Sequence, residues 1–333
     1  MQRNFQSLQS KDNTDVFNID YIITGYVIVN NIHFNNGENI ENLMGGSSVY
    51  AYSGVKMLTD NCIMVAGIGE DFFDYYSDWV KHNNVDMRGL LVVDKHTCNT
   101  TLVYRENGEY RDVSKYIPEK PIHSDEFNFN GSHLSPFINS AKGLYVFAST
   151  IENFNLAAQK EKNSSLKIMW EYPSMNTYNL KENLSEYLEY VDIFSINRPE
   201  SFRLFGIEDI DRIVELLKDT GKPCYYRLGE DGGCIITPDG HYFVSAVKPY
   251  NRASVDPTGC GNSSVSAMMW AFCEGLNPVK ALFYANTVAG FNSMQYGPFF
   301  DLGESAKRSI VEVAENLYKK EVLANPDKIN FGW

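Results

Sequence analysis

No stretch of about 18 consecutive apolar residues occurs in this chain, so a membrane-spanning helix is not its organising element. Clusters of Lys and Arg are also missing: 29 basic residues stand against 42 acidic ones, for a formal net charge of −13. A general nucleic-acid binder needs a basic face to neutralise phosphates, and that class is excluded. The six cysteines, at 62, 98, 224, 234, 260 and 273, form no CxxC pair, and reduced thiols are expected in a chain of this length. There is no internal repeat and no low-complexity linker. The polar opening MQRNFQSLQSKDNTDVFN lacks the apolar core of a signal peptide, so the expectation is a soluble, cytoplasmic protein without membrane or nucleic-acid partners. A Walker A pattern is absent as well, so phosphate binding cannot rest on a P-loop lysine.

What is present supports a substantial core. With 333 residues, 44% of them hydrophobic, the chain can form one large α/β domain or two ordinary ones. The run YIITGYVIV over residues 21–29 is β-branched and nearly continuous, as expected of a strand covered on both faces. After a polar stretch, Gly45-Gly46 leads into a predicted helix through Leu58, and NCIMVA at 61–66 reads as another buried strand. Strand, helix, strand begins a parallel α/β sheet. The pattern then changes. LLVV at 90–93 and TTLVY at 100–104 are strand-like, and Asn107-Gly108 before Tyr110 signals a tight hairpin, which together predict a small separate antiparallel sheet. Alternation resumes with short strands at 143–147, 166–170, 193–196 and 224–228.

The most informative stretch is Asp256-Pro257-Thr258-Gly259-Cys260-Gly261-Asn262, running into an apolar-rich segment at 263–274. Gly259 and Gly261 permit a tight turn, and the helix that follows would aim unpaired N–H groups and its positive dipole end at an anion. Such a geometry stabilises charge on a transferring phosphoryl group. Cys260 has two readings: a thiol whose pKa is depressed at a helix N-terminus, or a small filler.

This stretch resembles the second signature of the ribokinase/phosphofructokinase-B family of sugar and nucleoside kinases, usually Asp-Thr-x-Gly-Ala-Gly-Asp. The resemblance extends from about residue 21 to about residue 298. Gly45-Gly46, followed by Gly54 and Leu58, is similar to the first family signature, where a diglycine lets the backbone approach the sugar. Gly67-Ile68-Gly69-Glu70-Asp71 resembles the family's Gly-x-x-Gly-x-Asp element. Asn197-Arg198-Pro199-Glu200 resembles the Asn-x-x-Glu element that organises magnesium and phosphate through water, although Glu200 after Pro199 also suits the first turn of any helix. Gly229 and Gly232 resemble the turn beside the nucleotide, although any hairpin could use them, and Asn286 is a candidate for the base pocket.

The resemblance implies a doubly wound, mostly parallel α/β core flanked by helices in a single domain over 1–333, with a small antiparallel lid from about 31–44 and 89–119. It implies ATP and Mg2+ as cofactors, a sugar or nucleoside acceptor, and a homodimer through the lid. Three positions depart from the family pattern. Asn262 stands where the family has its general-base Asp, and an amide cannot take a proton at neutral pH. Asn30 stands where an acceptor-binding Asp is usual, and Tyr50 where a sugar-binding Asn is usual. The donor half is retained and the acceptor half is remodelled. Two functions follow: a kinase slowed by its missing base, or a binding protein without turnover.

Overall fold

The computed structural model describes residues 17–104, 110–116, 131–148, 154–172, 180–329 and 331–333. Nine strands form the main sheet: β1 (Tyr21–Thr24), β4 (Cys62–Gly69), β5 (Leu90–Asp94), β8 (Gly143–Phe147), β9 (Lys167–Glu171), β10 (Ile193–Asn197), β11 (Cys224–Arg227), β12 (Gly233–Thr237) and β13 (Gly240–Val244). Their order is β13-β12-β11-β10-β9-β8-β1-β4-β5. Pairings from β11 through β5 are parallel, and β12 and β13 close one edge as antiparallel strands.

Both faces of this sheet are covered, and the period-2 alternation divides its side chains between them. Tyr21, Ile23, Met64 and Tyr145 join one core with the helices α1 (Ser47–Lys56), α7 (Cys260–Cys273), α8 (Pro278–Asn292) and α9 (Glu304–Ala324). Ile22, Ile63, Val65, Leu144 and Ile168 join the other, with α3 (Leu156–Lys162), α5 (Arg198–Phe205) and α6 (Ile210–Lys218). The fold is the ribokinase-like α/β arrangement that the resemblance implied.

A second, small sheet contains β2 (Ile28–His33), β3 (Asn39–Gly45), β6 (Cys98–Tyr104) and β7 (Tyr110–Tyr116), in the order β3-β2-β6-β7. Its two outer pairings are antiparallel and the central β2–β6 pairing is parallel. The Asn107-Gly108 turn lies outside the described residues, but Tyr104 faces Tyr110 as a hairpin requires.

Two expectations need correction. The apolar run at 21–29 is not one strand. Gly25, at φ 139°, ends β1 and hands the chain to β2 in the other sheet, and a Cβ there would lie 2.5 Å from Ser47 Oγ. Nor does the 90–93 segment join the small sheet, which begins at 28 and 98 in place of 31 and 89. Leu90–Asp94 pairs in parallel with β4 at the far edge of the main sheet. Gly89 permits that approach, because a Cβ there would lie 2.3 Å from Met64 O. Apolar character alone marked these segments as strands but carried no information on which sheet they join.

Candidate active site

The carboxyl ends of parallel strands are where open α/β sheets bind ligands. Here β9 ends in Glu171, β10 in Asn197 and β11 in Arg227. The start of α7 faces them, and a hydrogen bond from Asn262 to Glu171 joins the two sides.

The turn before α7 is held from below. Asp256 is fully buried, and its Oδ1 accepts from the Thr258 N–H at 2.9 Å and from Thr258 Oγ1 at 2.6 Å. Tyr104, from the small sheet, places its hydroxyl 2.7 Å from Thr258 Oγ1. Gly259 is the N-cap at φ 76°, with no side-chain cap, and the first turn of α7 carries no acidic residue. The positive end of the helix dipole therefore meets no local counter-charge from its own first turn, which is the condition for binding an anion there. Gly259 is required twice over: by its left-handed φ, and because a Cβ would lie 2.0 Å from the Tyr50 ring.

Below the turn lies a buried charge cluster that the motif reading did not anticipate. Arg227 donates through Nη1 to Glu171 Oε1 at 2.7 Å and through Nη2 to Glu200 Oε2 at 3.1 Å. Glu171 Oε2 also accepts from the Tyr145 hydroxyl at 2.5 Å and from Asn262 Nδ2 at 3.2 Å. The same Asn262 amide lies 3.3 Å from the Tyr145 oxygen. Glu171 is only 2% exposed and Glu200 5%. Burial pushes the Glu200 carboxyl up to about 7, although Arg227 pulls the other way. Burial also works against the charge on Arg227, yet Glu171 and Glu200 hold its pKa above the ordinary value. Tyr145 is raised well above a free phenol, by burial first and by Glu171 second. A charged residue closing a predicted buried strand was the signal for Glu171 and Arg227, since charge is rarely spent inside a core.

Asn197 and Glu200 form a reciprocal capping box at the start of α5. Asn197 Oδ1 accepts from the Glu200 N–H at 2.8 Å, and Glu200 Oε2 accepts from the Asn197 N–H at 2.7 Å. Glu200 was the residue expected to hold a magnesium-bound water. Its Oε2 already serves a backbone N–H and a guanidinium, and a hydrated dication at that oxygen would be brought up against Arg227. A magnesium-bound water would therefore have to approach the other carboxylate oxygen of Glu200, Oε1.

The four residues expected on the acceptor side, Asn30, Gly45, Gly46 and Tyr50, are brought together. Asn30 is 4% exposed and lies over Gly45, where a Cβ would be 2.0 Å from its Nδ2. Gly46, at φ 96°, caps α1 and lies so close to Tyr26 that a Cβ would be 2.1 Å from its carbonyl oxygen. Tyr50 is 2% exposed and fills the space against Gly259. Gly229 and Gly232, the two glycines expected beside a nucleotide, adopt φ 66° and 104° around the short helical turn Gly229–Asp231. Asn286 does not offer its amide to a base. Its Nδ2 donates to Val244 O at 3.1 Å, and its Oδ1 accepts from the Tyr225 hydroxyl at 3.0 Å, so both ends tie α8 to the sheet.

Cys260 resolves toward the filler reading. Burial pushes its thiol up to about 12, and Asn292, which pulls it down, does not compensate. Burial likewise raises the other five cysteines. The thiolate fraction at Cys260 near neutral pH is therefore expected to lie well below that of an ordinary thiol. Ellman's reagent should therefore react slowly with the native protein and release all six thiols only in denaturant. A fast native phase lost on Cys260→Ser would contradict this assignment.

An uncharacterized protein of Schizosaccharomyces pombe is 26% identical over 317 residues, with 84% of this chain and 85% of the relative covered. A nucleoside kinase of Methanothermobacter thermautotrophicus is 22% identical over 282 residues, covering 81% of this chain and 86% of that protein. The fold is similar to that of a putative ribokinase II from E. coli solved with ATP and Mg2+. For that pair the TM-score is 0.69 at 17% identity, over 91% of this chain and 100% of the other. Residues 15–302 match the pfkB family of carbohydrate kinases. A match of that extent, which includes the turn at 256–262, places this chain in the pfkB carbohydrate kinase family.

Proposed function

We propose that this chain transfers the γ-phosphoryl group of ATP to a hydroxyl of a sugar or nucleoside, at a rate held down by the amide at position 262. The observation that carries the reading is the uncapped N-terminus of α7 behind the Gly259–Asn262 turn, a ready cradle for phosphate oxygens. Phosphoryl transfer proceeds through a loose transition state in which positioning and electrostatics dominate, so loss of a base slows it without abolishing it. General-base assistance contributes about 10²–10⁴-fold. The carboxylate closest to Asn262, Glu171, is buried and already accepts three donors, which makes it a poor substitute.

A second reading, nucleotide binding without turnover, is favoured by two observations: Asn262 is engaged with Glu171, and Tyr50 occupies the acceptor side of the turn. ADP release from ATP, with and without magnesium, across a panel of sugars and nucleosides separates the two. Stimulation by any acceptor supports the kinase. Saturable nucleotide binding with no stimulated turnover supports the second reading and overturns the first.

A further inference from the structure

We propose that the side-chain amide of Asn262 is locked in one orientation, with Nδ2 turned inward and Oδ1 outward, so that position 262 accepts a hydrogen bond from the hydroxyl to be phosphorylated. Tyr145 and Glu171 are the positioning residues that hold it. The inference rests on the kinase reading of this site and concerns what the amide does there in place of a base.

An asparagine side chain has a donor at one end and an acceptor at the other, and its neighbours decide which end faces which way. At Asn262 both inward neighbours are acceptors. Glu171 takes hydrogen bonds from Arg227 Nη1 at 2.7 Å, from the Tyr145 hydroxyl at 2.5 Å and from Asn262 Nδ2 at 3.2 Å. The single hydroxyl proton of Tyr145 is thus committed to Glu171, and it stays in place because burial, and then Glu171, raise that phenol well above its ordinary pKa. What Tyr145 offers to Nδ2, 3.3 Å away, is a lone pair. A reversed amide would set Oδ1 against a carboxylate oxygen and a phenol lone pair, exchanging two hydrogen bonds for two repulsive contacts. Asn262 is half-buried, and its Oδ1 accepts no hydrogen bond among the described residues, which leaves that oxygen to a ligand.

Orientation decides what the amide can do for transfer. An outward Nδ2 would donate to the hydroxyl oxygen and occupy a lone pair that attack requires. An outward Oδ1 draws the O–H bond toward residue 262 and leaves the oxygen lone pairs aimed elsewhere. The bond from that oxygen to the γ-phosphorus forms as the bond to the ADP oxygen breaks, and the hydroxyl proton passes to the transferred phosphoryl group, not to residue 262.

The test pairs two measurements on the full chain. In protein carrying 15N-labelled asparagine, hydrogen exchange of the Asn262 side-chain amide, assigned by its loss in Asn262→Ala, should be at least about tenfold slower in the native chain than in Glu171→Gln. In that variant Arg227, which can only donate, claims the Gln oxygen, and the remaining NH2 group reverses the amide at 262. Acceptor-stimulated ADP release across sugars and nucleosides should then fall at least about tenfold in kcat, with KM for ATP within about twofold of native, a split that a loosened fold would not give. Because Glu171→Gln leaves Arg227 one carboxylate and can fail to fold, Tyr145→Phe, which keeps both ion pairs, provides the second variant and should speed the exchange in the same direction. Native exchange as fast as that of a free asparagine would overturn the lock. Slow native exchange with kcat untouched by either variant would overturn the positioning role. Slow exchange with no acceptor-stimulated turnover in the native chain would overturn the kinase reading, and the role in transfer with it, while the lock stands.

Discussion

Asn262→Asp should lower stability by about 3–5 kcal/mol and leave ADP release no faster than in the native chain. On motif grounds alone the opposite is expected, because the substitution restores the family's general base. The structure places the side chain of residue 262 at 3.2 Å from Glu171 Oε2, and a carboxylate there would replace a donor by a second anion. At that separation and an effective dielectric of about 20, like charges repel by roughly 5 kcal/mol, and protonation of the new acid limits the cost. The sign with pH follows. Repulsion raises the folded-state pKa of the new carboxyl above its unfolded value of about 4, so the penalty is small near pH 4 and grows as pH rises toward that raised pKa. A proton held there also disables the base.

The paired variant Asn262→Asp/Glu171→Gln moves the carboxylate from 171 to 262 with the net charge unchanged. It should recover most of the lost stability, and if the kinase reading holds it is the form in which turnover rises, by about 10²–10⁴-fold. Chemical denaturation of the two single variants and the double gives the coupling directly. Additive effects would show that residues 171 and 262 do not interact.

Tyr50→Ala should have the other large effect. The ring is almost wholly buried against Gly259, and truncating a large buried aromatic costs about 3–5 kcal/mol through lost contacts and the cavity left behind. In a chain of this size the melting temperature should fall by about 4–7 °C. Tyr50→Phe keeps the ring and should cost less than about 1.5 kcal/mol. The cavity opens beside the Gly259–Asn262 turn, where on the proposed kinase reading an acceptor hydroxyl would come to be phosphorylated. If the ring restricts the acceptor, small polyols should bind to or stimulate Tyr50→Ala more than the native chain. Gly259→Ala tests the same contact from the other side: severe in the native background, because of both the left-handed φ and the ring 2.0 Å away, and milder where the ring has been removed.

The order of strands and helices was legible because buried parallel strands are short apolar runs and their crossover helices set the spacing. Gly143–Phe147 matches the expected bounds, and the strand endings at Glu171, Asn197 and Arg227 fall within a few residues of them. Membership of a sheet was not legible at Gly25 or at Leu90, because partner choice depends on where the backbone bends and what it approaches there. At the site, glycines and the Asn197/Glu200 pair were readable as local geometry. The cluster of Tyr145, Glu171, Arg227 and Asn262 was not: its members are separated by 26 to 117 positions, and only strand register brings them together. Asn286 misled for a related reason, since one amide satisfies both ends of a packing contact as readily as it reads a base.

The contact between Asn262 and Glu171 also gives this chain a direction in time. Placing a carboxylate at 262 while 171 keeps its own is uphill, and removing the carboxylate at 171 first takes away one of the two partners of Arg227. Either single step passes through a weaker protein. With the amide at 262 and the carboxylate at 171 both in place, the two positions hold each other as by a ratchet.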